Sequence, residues 1–280
     1  LALALGGCAP RAEALASIDD AALGEATLAR LRTWFAAPRG LGDPARAASI
    51  DALERALSEY GETYRDDFTA ADPQSGARLS LTNLFVDVRP AAPRRFVLAT
   101  HFDTRPWADE SSDPALHHKP VPGANDGTSG LAVILELAPR LVAALPDDIG
   151  FSIALFDGEE LGRPEVGGYC AGSRRLVDVI DEPRYATLRA ASFGIVLDMV
   201  GDADLQLRRE PYSERAHPAL VDHLWRTAAR GGYDSFERAE LPAQLDDHVY
   251  LSRAGVPSVL LLDRDYPAWH TTEDTLERVS

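Results

Sequence analysis

The sequence holds only two cysteines, Cys8 and Cys170, and one methionine, Met199, among 280 residues. A framework of several disulfides is therefore excluded, and none at all remains if Cys8 is acylated. A thiol mechanism would have to rest on Cys170, and a lone cysteine is more often a small buried hydrophobe. Long apolar runs are missing too: no stretch approaches the ~20 residues that a spanning helix needs. Positive charge is scarce, with 28 Lys and Arg against 44 Asp and Glu and a net charge of −16. That balance argues against nucleic acid as a partner. It is compatible with a small cationic or zwitterionic substrate such as the amino terminus of a peptide or protein. There is no internal repeat and no low-complexity linker. Hydrophobic residues at 45% are enough for a sizeable core.

The first residues carry a pattern of their own. Leu1 to Ala4 is apolar, and Leu5-Gly6-Gly7-Cys8-Ala9-Pro10 follows. This is similar to the bacterial lipoprotein processing site, where the cysteine becomes the lipidated first residue. The expectation is a signal-peptide remnant, lipobox and linker over residues 1–20. It implies export to the bacterial cell envelope, in the periplasm or at the outer membrane, with membrane association only through an anchor at Cys8. Residues 21–280 are then expected to form one domain with a helical N-terminal part.

Apolar spacing predicts helices from about Ala22 to Ala36 and from about Pro44 to Tyr60. Leu81 to Val88 and Phe96 to Thr100 read as strands, separated by Pro90 and Pro93. A Gly-, Pro- and Asp-rich loop from Asp103 to Gly127 is long enough to suggest function rather than mere connection. Beyond it come a helix from Thr128 to about Leu145, a strand from Ile149 to Phe156, and a helix near Ser173 to Ile180. Then follow a strand over Phe193 to Leu197, a helix from about Pro218 to Arg230, another near Asp247 to Ala254, and a strand from Val256 to Leu262. Buried strands alternating with helices predict an α/β sandwich with a mixed, largely parallel central sheet flanked by helices.

Open sheets of this kind bind ligands at the carboxyl ends of their strands. His101 and Asp103 fall just after the strand ending at Thr100, and Asp126 just before the long helix. Glu159 and Glu160 follow the strand ending at Phe156, Asp198 ends another, and His270 comes after the last. Each has a plainer explanation alone: Asp126 as a helix cap, the glutamates as a solvated turn, His270 as a core or surface histidine. Five strand or loop ends converging on carboxylates and imidazoles are a metal site's ligand set, with the mixed N and O donors that suit zinc.

Three motifs, Pro122-Gly123-Ala124-Asn125-Asp126-Gly127-Thr128-Ser129-Gly130, Leu155-Phe156-Asp157-Gly158-Glu159-Glu160 and His270-Thr271-Thr272-Glu273-Asp274, resemble the zinc aminopeptidase family over roughly Thr100 to Asp274. In that family the ligands would be His101, Asp126, Glu160, Asp198 and His270, with Asp126 bridging two metals and Glu159 as general base. Three further features resemble its glutaminyl cyclase branch, which turns N-terminal glutamine into pyroglutamate. They are Trp269 directly before His270, Asp246-Asp247-His248 before a helix and Gly255-Val256-Pro257, and the loop Arg105-Pro106-Trp107-Ala108-Asp109. The sequence departs from animal cyclases in having no Trp within Leu161 to Gly168. It also has one residue fewer between Asp246 and His270.

The cyclase resemblance implies one zinc per chain, held by Asp126, Glu160 and His270, with His101 and Asp198 outside the coordination sphere. It implies Glu159 as proton shuttle, Asp198 and Asp246 in a carboxylate network reaching it, and Trp269 and Trp107 at the substrate. Two zincs would belong to the alternative, an aminopeptidase hydrolysing N-terminal residues. A noncatalytic binding lipoprotein on the same fold is a third reading, but it predicts loss of Glu159 or a ligand, and all are retained.

Overall fold

Six strands form one mixed sheet between two layers of helices. The structure is a computed structural model that describes residues 20–37 and 39–280. The lipobox reading at Cys8 lies outside the described residues. Among the described residues no helix is long and apolar enough to cross a membrane.

Two helices open the described chain, α1 (Asp20–Phe35) and α2 (Arg46–Ser58), and a hairpin of β1 (Glu62–Ala71) and β2 (Arg78–Val88) follows. Then come β3 (Arg94–His101), α3 (Ser129–Ala144), β4 (Ile149–Phe156), α4 (Ala171–Val179), the short α5 (Ala186–Arg189) and β5 (Gly194–Asp198). The remainder is β6 (Leu207–Arg209), α6 (Pro211–Ala216), α7 (Pro218–Gly231), β7 (Phe236–Glu240), α8 (Asp247–Arg253) and β8 (Ser258–Leu262). β1, β2 and β4 pair antiparallel, whereas β4, β3, β5 and β8 run parallel, so the parallel part is the half that carries the strand ends of interest.

The parallel strands are covered on both faces, which is why they read as unbroken apolar runs. Successive residues alternate between two cores, as the pleat requires. Leu84, Phe96, Leu98, Ile153, Leu155 and Ile195 point to the side covered by α2, α3 and α7. Phe85, Val97, Ala99, Ala154, Phe156 and Val196 point to the side covered by α4 and α8. The chain leaves β3 for α3 on the first face and leaves β4 for α4 on the second. Adjacent parallel strands therefore part in opposite directions at their carboxyl ends, and this opens a crevice there.

β1 was not legible as a strand. Its inward side holds Asp66, 1% exposed, where an apolar residue is expected. Arg175 and Arg184 neutralise that carboxylate at 3.2 and 2.9 Å, and Tyr64 stacks on Phe85 beside it. A charged edge strand of this kind resists pairing with other chains. The small parallel pair β6 and β7 also has too little apolar content to signal itself.

Candidate metal and catalytic site

Backbone chemistry first fixes the loops that bear the site. Asp103, two residues beyond β3, accepts the backbone N–H of Glu159 and of Glu160, both at 3.2 Å, and so ties the turn after β4 to the loop after β3. Asp274 accepts the N–H of Asn125 at 2.8 Å and of Asp126 at 3.1 Å, and Tyr266 donates its hydroxyl to the same carboxylate at 2.8 Å. Gly127, at φ +83°, is required here, because a Cβ on it would lie 2.2 Å from the Asp103 carbonyl oxygen. Three non-glycine residues with left-handed backbone, Cys170, Met199 and His270, lie at or beside the same crevice. Such strain collects where surrounding structure over-determines a functional geometry.

These constraints bring the expected ligands together. His101 Nε2 lies 3.0 Å from Asp198 Oδ1 and 3.2 Å from Asp126 Oδ1. His270 Nε2 lies 3.3 Å from Glu160 Oε2 and 3.7 Å from Asp126 Oδ2. One ligand atom from each of His101, Asp126 and Glu160 falls within 4.8 Å of the others, a spacing suited to a shared cation. Burial raises Asp126 well above the usual carboxylate range, and the neighbouring Glu160 adds to it. Burial would raise Glu160 too, but His270 and Arg105 outweigh it and hold that carboxyl well below its ordinary value. Buried carboxylates at these separations need a counter-cation, and the N and O donors fit zinc. The residues present therefore form a candidate metal site.

Glu159 stands beside this group, with its nearest ligand-type neighbours in Cys170 and Asp246. Burial pushes it well above the usual carboxylate range, and the charge of Glu160 pushes the same way. A carboxyl raised in this way is suited to exchanging protons with a bound substrate. The sequence reading missed its partner: the Cys170 thiol donates to Glu159 Oε1 at 3.2 Å. Burial and the Glu159 charge hold that thiol well above its ordinary value, so Cys170 acts as a weak donor and not as a nucleophile.

The structure separates two adjacent carboxylates that sequence left equivalent. Asp246 lines the cavity and comes within 4.8 Å of Glu159 and Cys170. Burial, aided by the charge of Asp198, pushes it up to about 7. Asp247 turns into the core and accepts the Ser173 hydroxyl at 2.5 Å.

The cavity has a volume of about 350 Å³ and is walled by the candidate metal and acid–base groups, with Trp269 among the other lining residues. Trp269 stacks on His270 with ring centroids 3.8 Å apart. Trp107 is not among the lining residues. Its ring lies under the Arg163 guanidinium at 3.7 Å and near that of Arg105 at 5.4 Å. Arg105 in turn grips Asp109 at 2.6 and 2.7 Å and donates to Glu160 Oε2 at 3.0 Å. Trp107 thus buttresses the arginine that orients Glu160. Asp103, Arg105 and Asp274 were all within quoted motifs or beside ligands, but only the fold shows what each one holds.

Residues 83–280 match Peptidase family M28. The chain belongs to that family. This M28 member is 26% identical over 259 residues to the glutaminyl-peptide cyclotransferase-like protein of Bos taurus, covering 81% of this chain and 62% of that one. The chain thus spans about three fifths of the length of that curated relative. It is 31% identical to a glutaminyl cyclase from Tannerella forsythia, with a TM-score of 0.84 over 92% of each chain. It is 30% identical to a Zn-dependent exopeptidase from Parabacteroides distasonis, with a TM-score of 0.83 over 92% of each chain. The α/β sandwich expected from sequence is the fold of both neighbours.

Proposed function

We propose that this M28 member is a zinc-dependent glutaminyl-peptide cyclotransferase, converting N-terminal glutamine of peptides to pyroglutamate with release of ammonia. The observation that carries the reading is the likeness to the Tannerella forsythia glutaminyl cyclase over nearly the whole of both chains. The Trp269–His270 stack at the cavity supports it.

Asp126 and Glu160 would hold one zinc with His270, which faces both, while His101, grouped with them by spacing, is taken up by Asp198 at 3.0 Å; the zinc would supply Lewis-acid polarisation of the γ-carbonyl of the substrate. Glu159 takes a proton from the α-ammonium group, freeing its lone pair to attack the γ-carbon. The same carboxyl gives that proton to the departing amide nitrogen as the C–N bond breaks and takes the second proton from the ring nitrogen, so that ammonia leaves, the lactam closes and one proton passes to solvent. Because the attack is intramolecular, the site has only to hold the folded-back side chain; no external water need be activated. Cys170 fixes the rotamer of Glu159 by its thiol contact. Asp246, its carboxyl pushed up to about 7, lies within 4.8 Å of Glu159 in the same cavity wall.

The second reading, a two-zinc aminopeptidase, has in its favour that His101 and Asp198 are both retained beside the other three donors. Metal count separates the two. For the cyclase, dialysed protein is expected to hold about one zinc per chain, and Asp198→Asn to keep it. Two tightly held metals, one of them lost in Asp198→Asn, would favour the peptidase. The direct test is purified protein on an N-terminal glutaminyl peptide, scored for ammonia against free amino acid. Amino acid release without ammonia sinks the cyclase reading.

We also propose that the protein is an exported lipoprotein, on the Leu5-Gly6-Gly7-Cys8 pattern. Full-length protein expressed with a restored signal should partition with membranes, and Cys8→Ala should release it or block processing. Equal solubility of both versions overturns this.

A further inference from the structure

Arg264 is a cation that no acidic side chain among the described residues neutralises, set in the wall of the same cavity as Glu159 and Trp269. Its Cζ lies 3.7 Å over the ring of Trp269. His270 stacks on that ring at 3.8 Å. Two planar groups this close to one ring cannot share a face, so Trp269 is sandwiched between imidazole and guanidinium. No hydrogen bond or ion pair reaches Arg264 among the described residues, and the acidic neighbours that might have served it are committed elsewhere. Asp263 accepts the N–H of Gln206 at 2.8 Å and of Asp265 at 3.0 Å. The Asp265 carboxylate pairs with Arg208. With its Cζ held over the ring and its N–H groups without a partner among the described residues, the guanidinium is free to take a carboxylate two bonds at a time.

We infer that Arg264 selects substrates carrying a carboxylate one residue beyond the N-terminal glutamine. The inference rests on the cyclotransferase reading for the position of the first residue. Two stacking distances, 3.8 and 3.7 Å, separate the guanidinium from His270. An extended peptide advances ~3.3–3.6 Å per residue. The two stacking distances together are about twice that step, so a carboxylate on the residue after a glutamine seated at His270, reached by one step plus its own side-chain or terminal bonds, comes beside Arg264. Leu245, 50% exposed, lines the same cavity and offers apolar contact for an aliphatic stem. The carboxylate has two possible sources, an acidic second side chain or the free terminus of a dipeptide. On a chain of net charge −16, either one needs a local cation to be accepted.

The test uses zinc-loaded protein and four peptides: Gln-Glu-Ala amide against Gln-Ala-Ala amide for the side chain, and Gln-Ala acid against Gln-Ala amide for the terminus. Binding by titration calorimetry and ammonia release are measured on the same samples, for wild type, Arg264→Gln and Arg264→Lys. Wild type should favour the carboxylate member of at least one pair by about tenfold, the scale of a charge-assisted hydrogen bond. The pair that shows the ratio identifies the source. Arg264→Gln should bring the ratio near one and Arg264→Lys should keep part of it, while added salt shrinks the wild-type ratio. A wild-type ratio of one in both pairs, or a ratio unmoved in Arg264→Gln, overturns the assignment. A binding ratio that moves as expected without any ammonia release instead overturns the cyclotransferase reading and leaves Arg264 as the selector.

Discussion

Glu159→Gln is expected to leave zinc content and melting temperature nearly unchanged while lowering turnover by about 10²-fold or more, the scale of lost general acid–base catalysis. The amide keeps the shape of the carboxylate and can still accept from the Cys170 thiol, which lies 3.2 Å from Glu159 Oε1. What it cannot do is take a proton from the substrate and return it. Glu160→Gln should behave differently although the two residues are adjacent and chemically alike. Glu160 Oε2 lies 3.3 Å from His270 Nε2 and accepts from Arg105 at 3.0 Å, among the groups that would hold the metal. A neutral amide there is a much poorer ligand and removes one of the two carboxylates that Arg105 meets, so zinc should be lost on dialysis. Excess zinc should restore part of the activity of Glu160→Gln and none in Glu159→Gln. Metal analysis and turnover measured on the same samples decide it. Equal metal loss in both variants, or full activity in Glu159→Gln, would show that the division of labour is wrong.

The difference between these two glutamates shows where sequence reading reaches and where it stops. Strands such as β4, buried on both faces along its whole length, announce themselves because only apolar residues fit there. The five candidate donors suggest themselves from sequence because His101 and Asp198 end buried strands, Glu160 and His270 come after others and Asp126 sits just before α3, and strand ends are where such a sheet gathers ligands. What was not legible depends on contacts between residues far apart in the chain. Nothing local distinguishes Asp246 from Asp247; one faces the cavity and the other meets Ser173 only once α4 and α8 pack together. Nothing local says that Asp274 holds the amides of Asn125 and Asp126, almost 150 positions away. Trp107 was placed at the substrate by a resemblance of its loop, whereas packing turns it toward Arg163 and Arg105. The strand β1 stayed hidden because its buried position is an aspartate that two arginines neutralise.

Arg46→Met should destabilise the fold by about 3–5 kcal/mol at pH 8, the cost of leaving a buried carboxylate without its partner. Arg46 begins α2, where the helix dipole disfavours a cation and no acidic residue stands in the first turn. It is nonetheless buried, because its guanidinium pairs with Asp157 and its Nε donates to the Arg39 carbonyl at 3.0 Å. Asp157 is fully buried, and its other oxygen accepts the N–H of Thr82 at 2.7 Å. Burial already pushes this carboxyl up to about 6, against the pull of Arg46, which is the main influence holding it down. Without Arg46 the folded value rises further above the unfolded one of 3.8. The unfolded chain then gives up its proton first, so stability is lost as pH rises from about 4 through the raised folded value. The defect should therefore be largest at pH 8 and shrink toward pH 5, where the orphaned carboxyl is protonated. Asp157→Asn added to Arg46→Met should recover much of the loss at pH 8, because the amide oxygen still accepts from Thr82 and no charge remains to be buried. Urea unfolding of wild type, single and double variants at both pH values measures this. An Arg46→Met variant within about 1 kcal/mol of wild type at pH 8, the range of an exposed ion pair, would mean that Asp157 finds its compensation elsewhere.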